Sequence, residues 1–96
     1  MEKLKEKILN QYRSEYMWTA YYNKLLDHAI SNKLSGSEKK YYMNNYLKHN
    51  YALSLVTRLL SKNDHKNYLP DIRAAAIVER DRMYNNFILN KGSETA

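Results

Sequence analysis

Leu34-Ser35-Gly36-Ser37-Glu38 divides two heptad lines that face each other. On its N-terminal side, Leu9, Tyr12, Tyr16, Thr19, Asn23, Leu26 and Ile30 recur at alternating spacings of three and four. On its C-terminal side, Tyr42, Tyr46, His49, Leu53, Val56 and Leu60 do the same. Folding the chain at Gly36 brings Ile30 to Tyr42, Leu26 to Tyr46 and Asn23 to His49. It also brings Thr19 to Leu53, Tyr16 to Val56 and Tyr12 to Leu60. A matched pair of lines is what an antiparallel helical hairpin with a continuous seam requires.

The boundaries follow from the cap chemistry. Helix one is expected over residues 2–34, with Glu2 and Glu6 suited to its positive N-terminal end. Gly36 is the candidate for a left-handed stop. Ser35 or Ser37 can cap helix two, expected over 38–62, and Ser35 with Glu38 has capping-box spacing. The polar run Asn63-Asp64-His65-Lys66-Asn67 is read as a connector. Pro70 opens helix three, expected over 70–90, where its missing N–H costs nothing. Residues 91–96 are read as a flexible tail. With two Gly and one Pro in 96 residues and no alternating runs, the chain is expected to be all-α. It should form a single domain over residues 1–90, a three-helix bundle built from the hairpin and the third helix.

Helix three carries Ala74, Ile77, Asp81, Tyr84 and Ile88, flanked by Ile72, Ala76, Met83 and Phe87. Helix one has a second apolar line, Leu4, Ile8, Trp18, Tyr22, Leu25 and Ala29. At ~1.5 Å per residue, helix one would be ~50 Å long and helix three only ~30 Å. That mismatch leaves aromatic surface around Trp18 without a partner, so self-association as a homodimer is expected to complete the bundle.

Composition narrows the function. There is no Cys, which fits a reducing cytoplasm. No apolar run approaches the ~20 residues of a membrane span, and residues 1–7 lack the apolar core of a signal peptide. We therefore expect a cytoplasmic protein without a membrane partner. The 16 basic and 10 acidic residues give a formal charge of +6, which favours anionic partners. That excess is read as spread along the chain. Ten Tyr beside one Phe and one Trp, with abundant Asn and Lys, lean towards A/T-rich codons. Such codon use suits a low-GC bacterium or one of its phages or plasmids.

Chemistry-bearing motifs are missing. No Gly-x-Ser-x-Gly or Walker-type loop is present, and no Glu is followed three residues later by His. Asp27-His28 and Asp64-His65 are adjacent pairs that diverge on a helix. No catalytic residue, cofactor or metal is expected, and the chain is read as a binding protein and not an enzyme. The turn at Gly36 joins helices too long for a helix-turn-helix unit.

Three groups of residues stand out as candidates. Asn23, His49 and Asp81 are the polar members of the apolar lines. They are expected to form a buried, hydrogen-bonded layer that sets register, in preference to a proton relay. Trp18, Tyr21, Tyr22, Tyr41 and Tyr51 are candidate anchors for a protein partner or a second copy. Tyr21, Tyr41 and Tyr51 in particular fall off the seam and should be exposed. Lys40, Asn44, Lys48, Tyr51, Arg58 and Lys62 follow a stripe on helix two, with Lys33 and Lys39 at the hairpin tip. The cations Lys33, Lys39, Lys40, Lys48, Arg58 and Lys62 could contact nucleic-acid phosphates, or could be only a solvated face. The leading expectation is a regulator, adaptor or inhibitor that docks onto another protein. A nucleic-acid-binding protein is the alternative.

Overall fold

The computed structural model describes the backbone of residues 3–95 and the side chains of residues 3–90. Four helices follow in order: α1 Lys3–Ser31, α2 Gly36–Thr57, α3 Lys62–Asn67 and α4 Leu69–Thr95. The chain is all-α, with no strand among the described residues. Backbone helix continues through 91–95, the stretch expected as a tail, whose side chains lie outside the described residues together with residues 1, 2 and 96.

The hairpin turns earlier than Gly36, and the reason is a complete helix stop built around Lys33. Lys33 takes the left-handed conformation at φ 52°. Its N–H donates to the Ile30 carbonyl at 3.3 Å, and the Leu34 N–H reaches back to the Ala29 carbonyl at 2.9 Å. Those are the two bonds of a Schellman stop, and Leu34 packs beside Ala29 to complete it. Gly36 instead opens α2 with an ordinary negative φ. Ser35 caps α2, its Oγ accepting the Glu38 N–H at 3.2 Å.

Moving the reversal to Lys33–Leu34 displaces the seam by about one helical turn. Leu26 shares a core cluster with Tyr42, one turn from the expected Tyr46. Tyr12 and Leu9 cluster with Val56, and Leu60, the expected partner of Tyr12, packs against the same cluster. The faces are those of the heptad lines except at two positions: Ile30 and Asn23 are exposed.

The run 61–67 is a helix, not a connector. Ser61 Oγ accepts the Asp64 N–H at 3.2 Å, and Asp64 Oδ2 accepts the Ser61 N–H at 3.0 Å. This reciprocal capping box starts α3. Asp64 Oδ1 also lies 3.0 Å from Lys5 Nζ, which ties α3 to the first turns of α1. Asp64 is only 5% exposed, and its carboxyl sits below the usual carboxylate range. The Ser61 N–H is the main cause, with Lys5 adding to it.

α1 lies between α2 and α4. Among the described residues no Cα of α2 comes within 8 Å of one of α4, so the expected bundle is open on that side. Large side chains span the gap near both ends. Leu9, Tyr12, Val56 and Leu69 form one buried cluster, with Leu53, Leu60, Tyr68 and Ile72 around it. Leu25, Leu26, Ala29 and Tyr42 form the other, joined by Tyr84 and Phe87 of α4. Between them is a cleft of about 360 Å³ lined by Tyr16, Thr19, Asn23, Tyr46, Asn50, Ile77 and Arg80. The Thr19 hydroxyl is buried beside it without a hydrogen-bond partner.

Candidate interaction surface on α2

α2 carries two apolar faces, and the chain covers only one. The inner face presents Tyr42, Tyr46, His49, Leu53 and Val56, all buried or half-buried. The outer face carries Met43, Leu47, Tyr51 and Leu55 at an unbroken spacing of four, and all four are exposed. A four-residue step turns the line by only about 40° around the helix, so the side chains form one continuous ridge. Leu47 is 53% exposed, Tyr51 67% and Leu55 43%. Leu59 extends the exposed apolar surface just beyond the helix end, and Tyr41 adds to it near the tip. The remaining exposed large apolar side chains are scattered singly: Leu4 and Ile30 on α1, Val78 and Leu89 on α4. Scattered residues need no explanation, whereas a ridge of this kind does.

Charge on the same surface is one-sided. Residues 39–63 contain Lys39, Lys40, Lys48, Arg58 and Lys62 and not one Asp or Glu. The rest of the chain holds the other 11 basic residues and all 10 acidic ones. The excess is therefore concentrated here, contrary to the expectation that it is spread along the chain. None of these five cations, nor Lys33, forms an ion pair among the described residues. Lys40, Lys48, Arg58, Lys62 and Lys33 are exposed and Lys39 is half-buried. The stripe is not carried on one helix, however. α2 ends at Thr57, so Arg58 is its C-cap residue and Lys62 belongs to α3.

The expected aromatic anchors divide between the core and the surface. Trp18, Tyr21 and Tyr22 are half-buried in a ring cluster on the α1–α2 hairpin. Trp18 stacks on Tyr22 at 6.0 Å and on His49 at 5.9 Å, and His49 stacks on Tyr22 at 5.8 Å. Tyr21 meets Tyr22 edge-on at 5.4 Å, so Tyr21 is not the exposed residue it was expected to be. Burial raises the Tyr21, Tyr22 and Tyr42 phenols above their ordinary range; neighbouring Tyr41 adds to the rise in all three. Tyr41 and Tyr51 are exposed as expected.

The polar layer does not form. His49 Nδ1 lies 2.6 Å from Glu15 Oε2, and Glu15 is eight residues before Asn23, the expected partner. Asp81 is held by Arg80 and Lys24 at 2.8 and 3.2 Å. Those two cations keep its carboxyl below the usual range. Asn23 is exposed, so the three residues stay apart. The one-turn displacement moves His49 opposite Thr19, one turn from Glu15, and the open α2–α4 side leaves Asn23 and Asp81 accessible to water.

Met43, Leu47, Leu55 and Leu59 were missed as site residues, although their spacing of four is visible in the sequence. Asn44 and Lys48 interleave with them in sequence, so the segment presents itself as a charged stripe. Among the described residues no group of three His, Cys, Asp or Glu side chains could hold a metal ion. No described helix is long and apolar enough to cross a membrane. No protein-family model, curated protein or solved structure matches the chain.

Proposed function

We propose that the chain is a non-enzymatic helical interaction module that docks onto another protein through the outer face of α2. The observation carrying this reading is the exposed ridge Met43–Leu47–Tyr51–Leu55 on a helix whose opposite face is already packed. Aromatic and long aliphatic side chains on one ridge supply the kind of central anchors that dominate protein interfaces. A role as regulator, adaptor or inhibitor suits so small a module, as does an origin in a phage or plasmid.

The two grounds for expecting a homodimer are weakened. α4 has 27 residues against 29 in α1, so the length mismatch is gone. Trp18 is stacked within its own chain. Nucleic-acid contact is the second reading, favoured by the acid-free stretch 39–63. Capture from the source cell, with and without nuclease, separates the two. The expected result is a protein retained by the wild type after nuclease and lost by Leu47→Ser/Leu55→Ser with its helicity intact. Retention of nucleic acid alone, or of the same protein by both chains, would reject docking through α2.

A further inference from the structure

Resting on the reading of α2 as a docking face, we infer that the partner is an acidic amphipathic α-helix. It lies along Met43, Leu47, Tyr51 and Leu55 and brings carboxylates to Lys40, Lys48 and Arg58. The apolar part of the recognition comes from the ridge, about 18 Å from Met43 to Leu55 at the helical rise, which suits a facing helix of four or five turns. The polar part comes from cations that lack any carboxylate within the described chain.

Complementarity selects among occupants. A second copy of α2 laid antiparallel on this face would set Lys40 near Arg58 with no acid from 39–63 on either side. Like charges closing on one another oppose that pairing. Phosphates would suit the cations, yet they leave Leu47, Tyr51 and Leu55 without apolar cover. Lys40 and Lys48 are also about 12 Å apart along the helix, a sparse array for a phosphate backbone. An anionic membrane meets a different obstacle. At about 100° per residue, Lys40 and Asn44 fall angularly within the apolar ridge, not beside it. The ridge therefore lacks the clean apolar face that an interfacial helix sinks into lipid. An acidic helix meets both demands, since its own ridge can interleave Leu with Glu.

The test uses the full chain and a labelled synthetic helix of about 18 residues, with Leu at spacings of three and four and Glu beside them. Matching peptides carry Gln or Lys in place of Glu, and a duplex DNA and anionic phospholipid vesicles complete the set. The expected result is tightest binding to the Glu peptide, with the Gln peptide at least about ten-fold weaker. The variant Lys40→Glu/Lys48→Glu/Arg58→Glu should reverse this order and prefer the Lys peptide. Lys40→Gln/Lys48→Gln/Arg58→Gln, the gentler change, should bring the Glu and Gln peptides together.

Equal binding of the Glu and Gln peptides by the wild type would overturn the acidic assignment while leaving α2 as a docking face. Tighter binding of DNA or vesicles than of the Glu peptide would also overturn it. If that binding were unaffected by Leu47→Ser/Leu55→Ser, the docking reading would fall as well. Absence of binding to the Glu peptide overturns the inference alone, because the capture experiment judges the docking face independently.

Discussion

The α1–α4 interface and the outer face of α2 are made of the same residue types and treat them in opposite ways. Between α1 and α4, Lys24 reaches Asp81 and lies 4.7 Å above the Tyr84 ring. Arg73 Nε donates to the Tyr12 hydroxyl at 2.8 Å, and His28 Nδ1 lies 3.3 Å from the Tyr84 hydroxyl. On the outer face of α2, Lys40 and Lys48 pair with no acid among the described residues, and Leu47 and Tyr51 stay in water. Charge and apolar surface are satisfied within the chain in one region and left open in the other. The difference teaches where to look for stability and where to look for binding.

The sharpest break of that contrast is a pair of truncations. Leu69 is fully buried in the cluster with Leu9, Tyr12 and Val56. Leu69→Ala should cost ~2–5 kcal/mol, a large part of the stability of a domain this size. Tyr51→Ala and Leu47→Ala should each stay within ~0.5 kcal/mol. Urea midpoints decide, and a large loss at Tyr51 would mean the outer face is already in use within the folded chain.

A step down in size is the α3 cap, which belongs to the satisfied region. Ser61→Ala removes one half of the capping box and should cost ~1 kcal/mol. Acid should act on the same lock through Asp64, whose folded pKa lies below its unfolded value. The unfolded chain then binds more protons as pH falls, so the stabilisation is present above the ordinary carboxylate pKa of ~3.9 and is lost below it. Glu79 and Asp81 shift in the same direction through Arg82 and Arg80. Thermal melts from neutral pH to below ~3.9 should show stability falling with acid, less steeply in Asp64→Asn. No pH difference between the two chains would remove Asp64 from the account.

The hinge shows how much of this was legible beforehand. Periodicity alone found helices α1, α2 and α4 and most of the inward side of each, with Asn23, Ile30 and Ala74 exposed against expectation, because burial demands a recurring apolar stripe. It could not place the reversal, because Gly36 looked like the residue for a left-handed turn and Lys33 did not. The bonds that hold Lys33 at positive φ come from Ala29 and Ile30 and are set by the packing of Leu34. α3 was legible in principle, since Ser61-Lys62-Asn63-Asp64 has capping-box spacing, but its polar composition read as a loop. The outer ridge was hidden for the opposite reason: charge interleaved with it masked a regular apolar spacing. At Gly36 the backbone is helical and an added Cβ would meet nothing within 4 Å. Gly36→Ala should therefore stabilise the protein by ~0.4–1 kcal/mol by restricting the unfolded chain. A loss of stability on that substitution would return the left-handed turn to Gly36 and restore the original register.

The smallest expected effect on folding carries the most weight for the comparison. Lys40, Lys48, Arg58 and Lys62 are exposed and unpaired among the described residues, so no native bond is broken when all four become Gln. Each change should alter stability by less than ~0.5 kcal/mol. Removing four positive charges from the acid-free stretch 39–63 also relieves mutual repulsion, so the net change should lie near zero or be slightly favourable. Chemical denaturation at low and moderate salt measures it, because relief of repulsion fades as salt screens the charges. Substantial unfolding would show that these cations hold the fold together, and the outer face of α2 would then lose its distinction from the α1–α4 interface. If the fold survives unchanged while the acidic helix is bound no better than its Gln counterpart, charge on this face serves recognition alone.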